Sequence, residues 1–279
     1  MTGFKDFFRR LCKNRLTVIC LILFVLIVLA VIFANIIAPY GWDEGEIINR
    51  YLPPSAEHLC GTDNYGRDIF SRILYGGRMS LEIGLISAVV TTVLGAIIGA
   101  TSAYFGGTFD NVVMRVLDVF MAMPPILLAI AIAATLGTGM MNTMLAVIIS
   151  GIPMKARVAR GPVLALRNQE FVEAATASNS STAKIIFKHI IPNILAPLIV
   201  QTTLSISGAI VSVAGLSFLG LGVQPPAPEW GAMLSAGRSY LRDYPWMVIA
   251  PGIAMLLTLF SLNIVGDGVR DALDPKLRD

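Results

Sequence analysis

Residues 119–154 read VFMAMPPILLAIAIAATLGTGMMNTMLAVIISGIPM, a run with no Asp, Glu, Lys, Arg or His. As one helix it would be about 54 Å long at 1.5 Å per residue, whereas a hydrocarbon core is crossed by roughly 20 apolar residues. Pro124-Pro125 near its start and Gly137-Thr138-Gly139 in its middle are chain breakers, so the run divides into two membrane-spanning helices that extend into the flanking residues.

Four more runs, 16–42, 83–109, 190–228 and 244–266, are equally free of charge. Each is long enough to cross once, which gives six expected spans at 16–38, 82–105, 112–136, 141–159, 194–219 and 246–267. The composition agrees. Of 279 residues, 55% are hydrophobic and 14% charged, a balance that excludes an ordinary soluble domain. The fold class is therefore an all-α polytopic membrane protein with about six transmembrane helices.

Lys and Arg near span ends stay on the cytoplasmic side. With the N-terminus inside, fifteen of the twenty-one fall in inner segments: Lys5, Arg9, Arg10, Lys13, Arg15, Arg115, Lys155, Arg157, Arg160, Arg167, Lys184, Lys188, Arg270, Lys276 and Arg278. The other six lie in two longer outer loops that also hold most of the acids. The net charge of +3 thus reflects topology and gives no argument for nucleic-acid binding. Cys12, Cys20 and Cys60 are separated by the membrane, and no disulfide is expected.

The resulting plan begins with residues 1–15 as an amphipathic elbow helix. Phe4, Phe7, Phe8 and Leu11 form one face, and Lys5, Arg9, Arg10 and Lys13 the other. Its apolar continuation is longer than the core of a cleaved signal and lacks a small-x-small cleavage site. Residues 16–38 are the first span, 39–81 an extracytoplasmic loop, 82–267 a five-helix core, and 268–279 a cytoplasmic tail. In the first outer loop, residues 61–68 read as a structural turn feeding a short surface helix, and neither a calcium loop nor a His58/Cys60 metal pair is supported by spacing. The second outer loop, 220–245, holds Pro225, Pro226 and Pro228 before Glu229 and Trp230. It serves either as a docking surface for an external partner or as a rigid interfacial hairpin.

The inner loop 160–192 reads as helix, turn, helix. Pro162 suits a first helical turn, and Asn179 to Thr182 break that helix and cap the next. The small pair Ala174-Ala175 offers little to lipid and much to a closely approaching protein.

No metal-hydrolase, nucleophile-elbow, dithiol or phosphate-loop motif is present, which argues against a membrane enzyme. An ion-coupled carrier holds ionisable groups near the midplane, and the uncharged runs leave none. Glu82, Arg115, Asp118 and Asp267 sit at span ends, and Arg115 and Asp118 are expected to pair with each other. The sequence describes a polar-poor pathway with a protein-docking loop and no engine of its own.

Loop 160–192 resembles the coupling motif of binding-protein-dependent ATP-driven importers: Glu173-Ala174-Ala175, then Asn179 where Gly is usual, ending Ile190-Ile191-Pro192. Asn179 and His189 depart from the pattern, but Asn is the side-chain-bearing residue that best tolerates a left-handed turn. Over nearly the whole chain there is further similarity to the second permease of the dipeptide, oligopeptide and nickel import family. It is carried by Gly61-Thr62-Asp63, Gly66-Arg67-Asp68, Ser217-Phe218-Leu219-Gly220-Leu221-Gly222-Val223, Pro228-Glu229-Trp230-Gly231, Asn263, Gly266-Asp267 and Arg270-Asp271-Ala272-Leu273-Asp274-Pro275.

The resemblance implies a type I permease fold in a bacterial or archaeal cytoplasmic membrane. It implies a heterodimer with a homologous permease, two ATPase subunits that bind ATP and Mg, and an extracytoplasmic substrate-binding protein. This chain would be non-catalytic, with no cofactor or metal of its own. Glu173, Ala174, Ala175, Asn179 and Pro192 would meet the ATPases, and Pro225, Pro226, Pro228, Glu229 and Trp230 are the candidate docking residues for the binding protein. Peptides are the expected substrates, with nickel chelates the alternative.

Overall fold

The computed structural model describes residue 7 and residues 9–273, and these are almost wholly helical, with two isolated bridges and no strand among them. Phe7 and residues 9–11 are helical, in keeping with the start of the elbow, while Phe4, Lys5 and Phe8 lie outside the described residues.

Helix α1, Arg15–Ile32, starts where the Asn14 side chain accepts the Leu16 amide at 2.9 Å. Helix α2, Ile69–Phe105, is capped by Asp68, whose Oδ2 accepts both the amide and the hydroxyl of Ser71 at 2.7 Å. At 37 residues it is about 55 Å long. Gly106, with φ +65°, ends it and turns the chain into α3, Gly107–Met121. Helix α4, Pro125–Leu136, follows at an angle of 84° with proline in its first turn. Next come α5, Met140–Leu166, and the short α6, Glu170–Ala177. Residues 182–194 wind through a helical turn, a π segment and a 3-10 turn into α7, Leu195–Phe218. Helices α8, Trp230–Gly237, and α9, Trp246–Leu273, complete the chain.

Helices α2 and α5 form the centre and share the most extensive contact. Their backbones touch at Gly95 and Gly99. A Cβ at Gly99 would stand 2.1 Å from the Ala156 carbonyl oxygen, and one at Gly95 2.4 Å from Lys155 Cβ. Small residues four apart allow this approach where no hydrophobic drive brings helices together. Helix α7 packs on α2 and α9, α4 lies on α5, and α1 rests on α9 at the edge. Leu16, Ile19, Ile22 and Leu26 of α1 and Ile249, Ile253 and Leu256 of α9 are exposed. That apolar surface suits the hydrocarbon of a bilayer.

Four helical stretches are long and apolar enough to cross, and the bent pair α3–α4 makes a fifth. The remaining expected span is α5, which has 27 residues but carries Lys155, Arg157 and Arg160. It can be more polar because it is packed at the centre. The short surface helix expected after Asp68 is instead continuous with the second span. Arg72 and Arg78 made this stretch look like loop, but each has backbone partners. Arg72 donates to the carbonyls of Trp42 at 2.6 Å and Pro226 at 3.2 Å. Arg78 donates to those of Val31 at 2.8 Å and Ile32 at 2.7 Å, closing the last turn of α1. Pro162 sits inside α5 and does not begin a new helix. Residues 268–273, read as tail, continue α9, and 274–279 lie outside the described residues.

Candidate coupling and docking surfaces

At one end of the bundle α6 lies across the ends of α2 and α5. Val172 and Ala175 are buried in a cluster with Ala100, Ala103, Val163 and Ile186. Glu173, Ala174, Ala177 and Asn179 face away and are exposed. Asn179 adopts φ +55°. Its amide donates to the Thr176 carbonyl at 3.0 Å, and the Ser180 amide donates to that of Ala175 at 3.1 Å. This bond pair is a Schellman motif, with Asn supplying the left-handed residue that is most often Gly. Ser181 then caps the next turn by accepting the Lys184 amide at 3.4 Å. Pro192 is exposed in the 3-10 turn leading to α7. Beside α6 a groove of about 720 Å³ is lined by Tyr104, Phe105, Arg167, Glu173 and Thr176. Arg167 fixes one wall by donating to the Ala103 carbonyl at 3.0 Å.

At the other end, the loop before α2 and the loop before α8 are joined. Asp63 accepts Arg67 Nη2 at 2.7 Å and lies 3.6 Å from Arg72 Nε. Arg72 reaches across to Pro226, Trp246 Nε1 donates to the Thr62 carbonyl at 3.3 Å, and Tyr51 stacks on Tyr244 at 4.2 Å. His58 pairs with Asp68 at 3.0 Å, and among the described residues no group of three or more His, Cys, Asp or Glu could hold a metal ion. Burial, and after it the Asp68 carboxylate, pushes the Cys60 thiol above its ordinary range.

The five candidate docking residues divide. Pro225 and Pro226 are exposed at the tip, with a cis peptide bond between them. Pro228, Glu229 and Trp230 are buried. Glu229, only 1% exposed, caps α8: its Oε1 and Oε2 accept the amides of Gly231 and Ala232 at 2.8 Å, and Oε1 also accepts Ser80 Oγ at 3.1 Å. Trp230 donates from Nε1 to the Ile73 carbonyl at 3.0 Å. Gly76 makes room for this loop, since a Cβ there would stand 2.3 Å from the Pro228 carbonyl oxygen.

Two charged residues, Asp118 and Lys155, differ from the sequence reading, and a third, Asp110, forms a pair that the reading did not address. Asp118 pairs with Arg157 across to α5, and not with Arg115 on its own helix. Asp110 is held by Arg160 at 2.5 Å and by Ser102 Oγ at 2.6 Å. Lys155, assigned by position to the inner side, is 7% exposed and donates to Ser205 Oγ and to the Gln201 carbonyl at 3.3 Å, in the middle of the bundle. Its four-carbon stem carries the ammonium away from its backbone position. That reach is invisible to a count of charge-free runs.

The helical bundle thus carries a capped, outward-facing short helix at one end and a braced loop pair at the other. Residues 91–279 match the family described as "Binding-protein-dependent transport system inner membrane component", and residues 2–54 match "N-terminal TM domain of oligopeptide transport permease C". The chain is 43% identical over 278 residues to the dipeptide transport system permease protein DppC of Alkalihalophilus pseudofirmus, covering 100% of this chain and 91% of that one. It is 42% identical over 274 residues to the oligopeptide transport system permease protein OppC of Bacillus subtilis, covering 98% and 90%. In fold it is similar to the inward-facing MetNI methionine ABC transporter, with a TM-score of 0.58 at 16% identity over 73% of this chain and 96% of that one. The chain belongs to the inner membrane components of binding-protein-dependent transport systems, the permease subunits of ABC importers.

Proposed function

We propose that this permease forms half of a transmembrane pathway for di- or oligopeptides, paired with a second homologous permease. Two ATPase subunits, which bind the ATP and Mg, grip α6, and a substrate-binding protein docks at the 220–245 end. The names of the relatives favour peptides over nickel chelates. Both termini and α6 face the cytoplasm, an orientation supported by the distribution of Lys and Arg.

The observation that carries the coupling role is the two-sided character of α6. One face is locked into the bundle through Val172 and Ala175, and the other is free to be held through Glu173 and Ala174. A short helix so anchored transmits a push from outside the membrane to the ends of α2 and α5. The exposed Pro225-Pro226 tip is the docking element for the binding protein, with Glu229 and Trp230 holding it from beneath.

The test is reconstitution of this chain with its partner permease, ATPases and binding protein in proteoliposomes. Peptide uptake that requires ATP and the binding protein is expected, with none by this chain alone. Uptake driven by an ion gradient without ATP would refute the assignment of the drive. Single cysteines at Glu173 and Gln224, both exposed, report orientation: an impermeant reagent applied to intact cells labels position 224 and spares 173.

A further inference from the structure

Between α2, α5 and α7, at the start of α4, lies a cavity of about 360 Å³. Its polar lining is Ser87, Thr91, Ser150, Lys155, Ser205 and Ser212. Lys155 is the cation of this set. Its two hydrogen-bond partners, the Ser205 hydroxyl and the Gln201 carbonyl, solvate the ammonium without neutralising it, and none of the ion pairs among the described residues includes it. Ser87 is 0% exposed, and its Oγ has no hydrogen-bond partner among the described residues. An uncompensated ammonium within a membrane-spanning bundle is costly and calls for an anion. An unpaired buried hydroxyl in the lining of the same cavity adds an unused donor.

We infer that this cavity is a waypoint for the C-terminal carboxylate of a peptide in transit, with Lys155 as the charge that receives it and the Ser and Thr hydroxyls as the wet wall along which it moves. The inference rests on the peptide-import reading above. A carboxylate entering the cavity replaces water around the ammonium with a charge-assisted hydrogen bond. With Lys155 the one charged residue among the described residues that line the cavity, the interaction favours entry while allowing departure, as a conducting path requires.

The experiment uses the complete reconstituted transporter and two probes, an alanine dipeptide as the free acid and the same dipeptide as its C-terminal amide. Each is supplied at saturation of the binding protein, so that its selection does not enter. Lys155→Met is expected to cut free-acid uptake by roughly tenfold, the scale of one lost charged hydrogen bond, while amide uptake stays within about twofold of wild type. Lys155→Arg is expected to keep most of the free-acid uptake. Should the Met variant fail to assemble, Lys155→Gln keeps a hydrogen-bond donor without the charge and gives the same selective loss. An equal fall for both probes would mean that the ammonium meets a carboxylate of the partner permease, and an unchanged ratio of the two would mean that it meets no anion; either overturns the inference. Wild-type uptake of neither probe would instead overturn peptide import itself, and this inference with it.

Discussion

Ala174 and Ala175 are neighbours in the chain and face opposite ways, Ala174 exposed on the outer side of α6 and Ala175 buried among Val163, Ile185 and Ile186. Sequence alone treats the pair as one smooth patch for a partner. The structure gives each residue a separate environment. Ala174→Trp should abolish uptake and substrate-stimulated ATP hydrolysis while the permease pair still inserts and assembles. Ala175→Trp should act earlier, overpacking the cluster and costing about 1–3 kcal/mol of stability. Yield and thermal midpoint of the purified complex separate the two, and wild-type coupling in the Ala174 variant would remove α6 from the ATPase interface.

Asn179 holds the Schellman turn that ends α6. Asn179→Gly should be silent in uptake and in stability, because Gly occupies a left-handed backbone without penalty. Asn179→Val should lose roughly 1–2 kcal/mol at that turn and with it the fixed aim of α6. ATP hydrolysis that no longer responds to loaded binding protein is the signature to measure. A fully coupled Val variant would show that the turn tolerates another geometry.

The Glu229 carboxylate is bonded to Ser80 and to two amides of α8, and to no other group among the described residues. Glu229→Ala should therefore lower stability by about 1–3 kcal/mol, the cost of leaving buried donors unpaired. Ser80→Ala should be less than additive with it, since both changes break the same bond. Binding-protein affinity should change less than the thermal midpoint. The reverse pattern, an intact midpoint and lost affinity, would make Glu229 a docking residue.

The charge-free runs made the helical bundle legible, because length and apolarity are local properties that need no knowledge of neighbours. What the sequence hid was mostly long-range pairing. Arg72 and Arg78 read as loop residues until Pro226, Trp42 and the end of α1 supply carbonyls for them. Asp118 has Arg115 three positions away and takes Arg157 thirty-nine positions away. The left-handed turn at Asn179 was readable, since backbone preference belongs to the residue itself. The division of Pro225 and Pro226 from Glu229 and Trp230 was not, because composition cannot tell a loop's tip from its root.

The contact at Gly95 and Gly99 sits far off-centre on α2, about 42 Å from its Ile69 end and only about 12 Å from its Phe105 end at 1.5 Å per residue. It is not the whole of the contact: nearer the Ile69 end Thr91 Oγ1 donates to the Ile148 carbonyl at 3.5 Å, and Gly84 lies against Ile210 of α7. A rod fastened at several points moves as one body. Its Phe105 end lies beside α6 and its other end carries Arg72, which grips the loop at Pro226. Under the coupling proposed above, a displacement at α6 would reach that loop through the whole helix, and bulk introduced at Gly95 or Gly99 would disturb both ends at once.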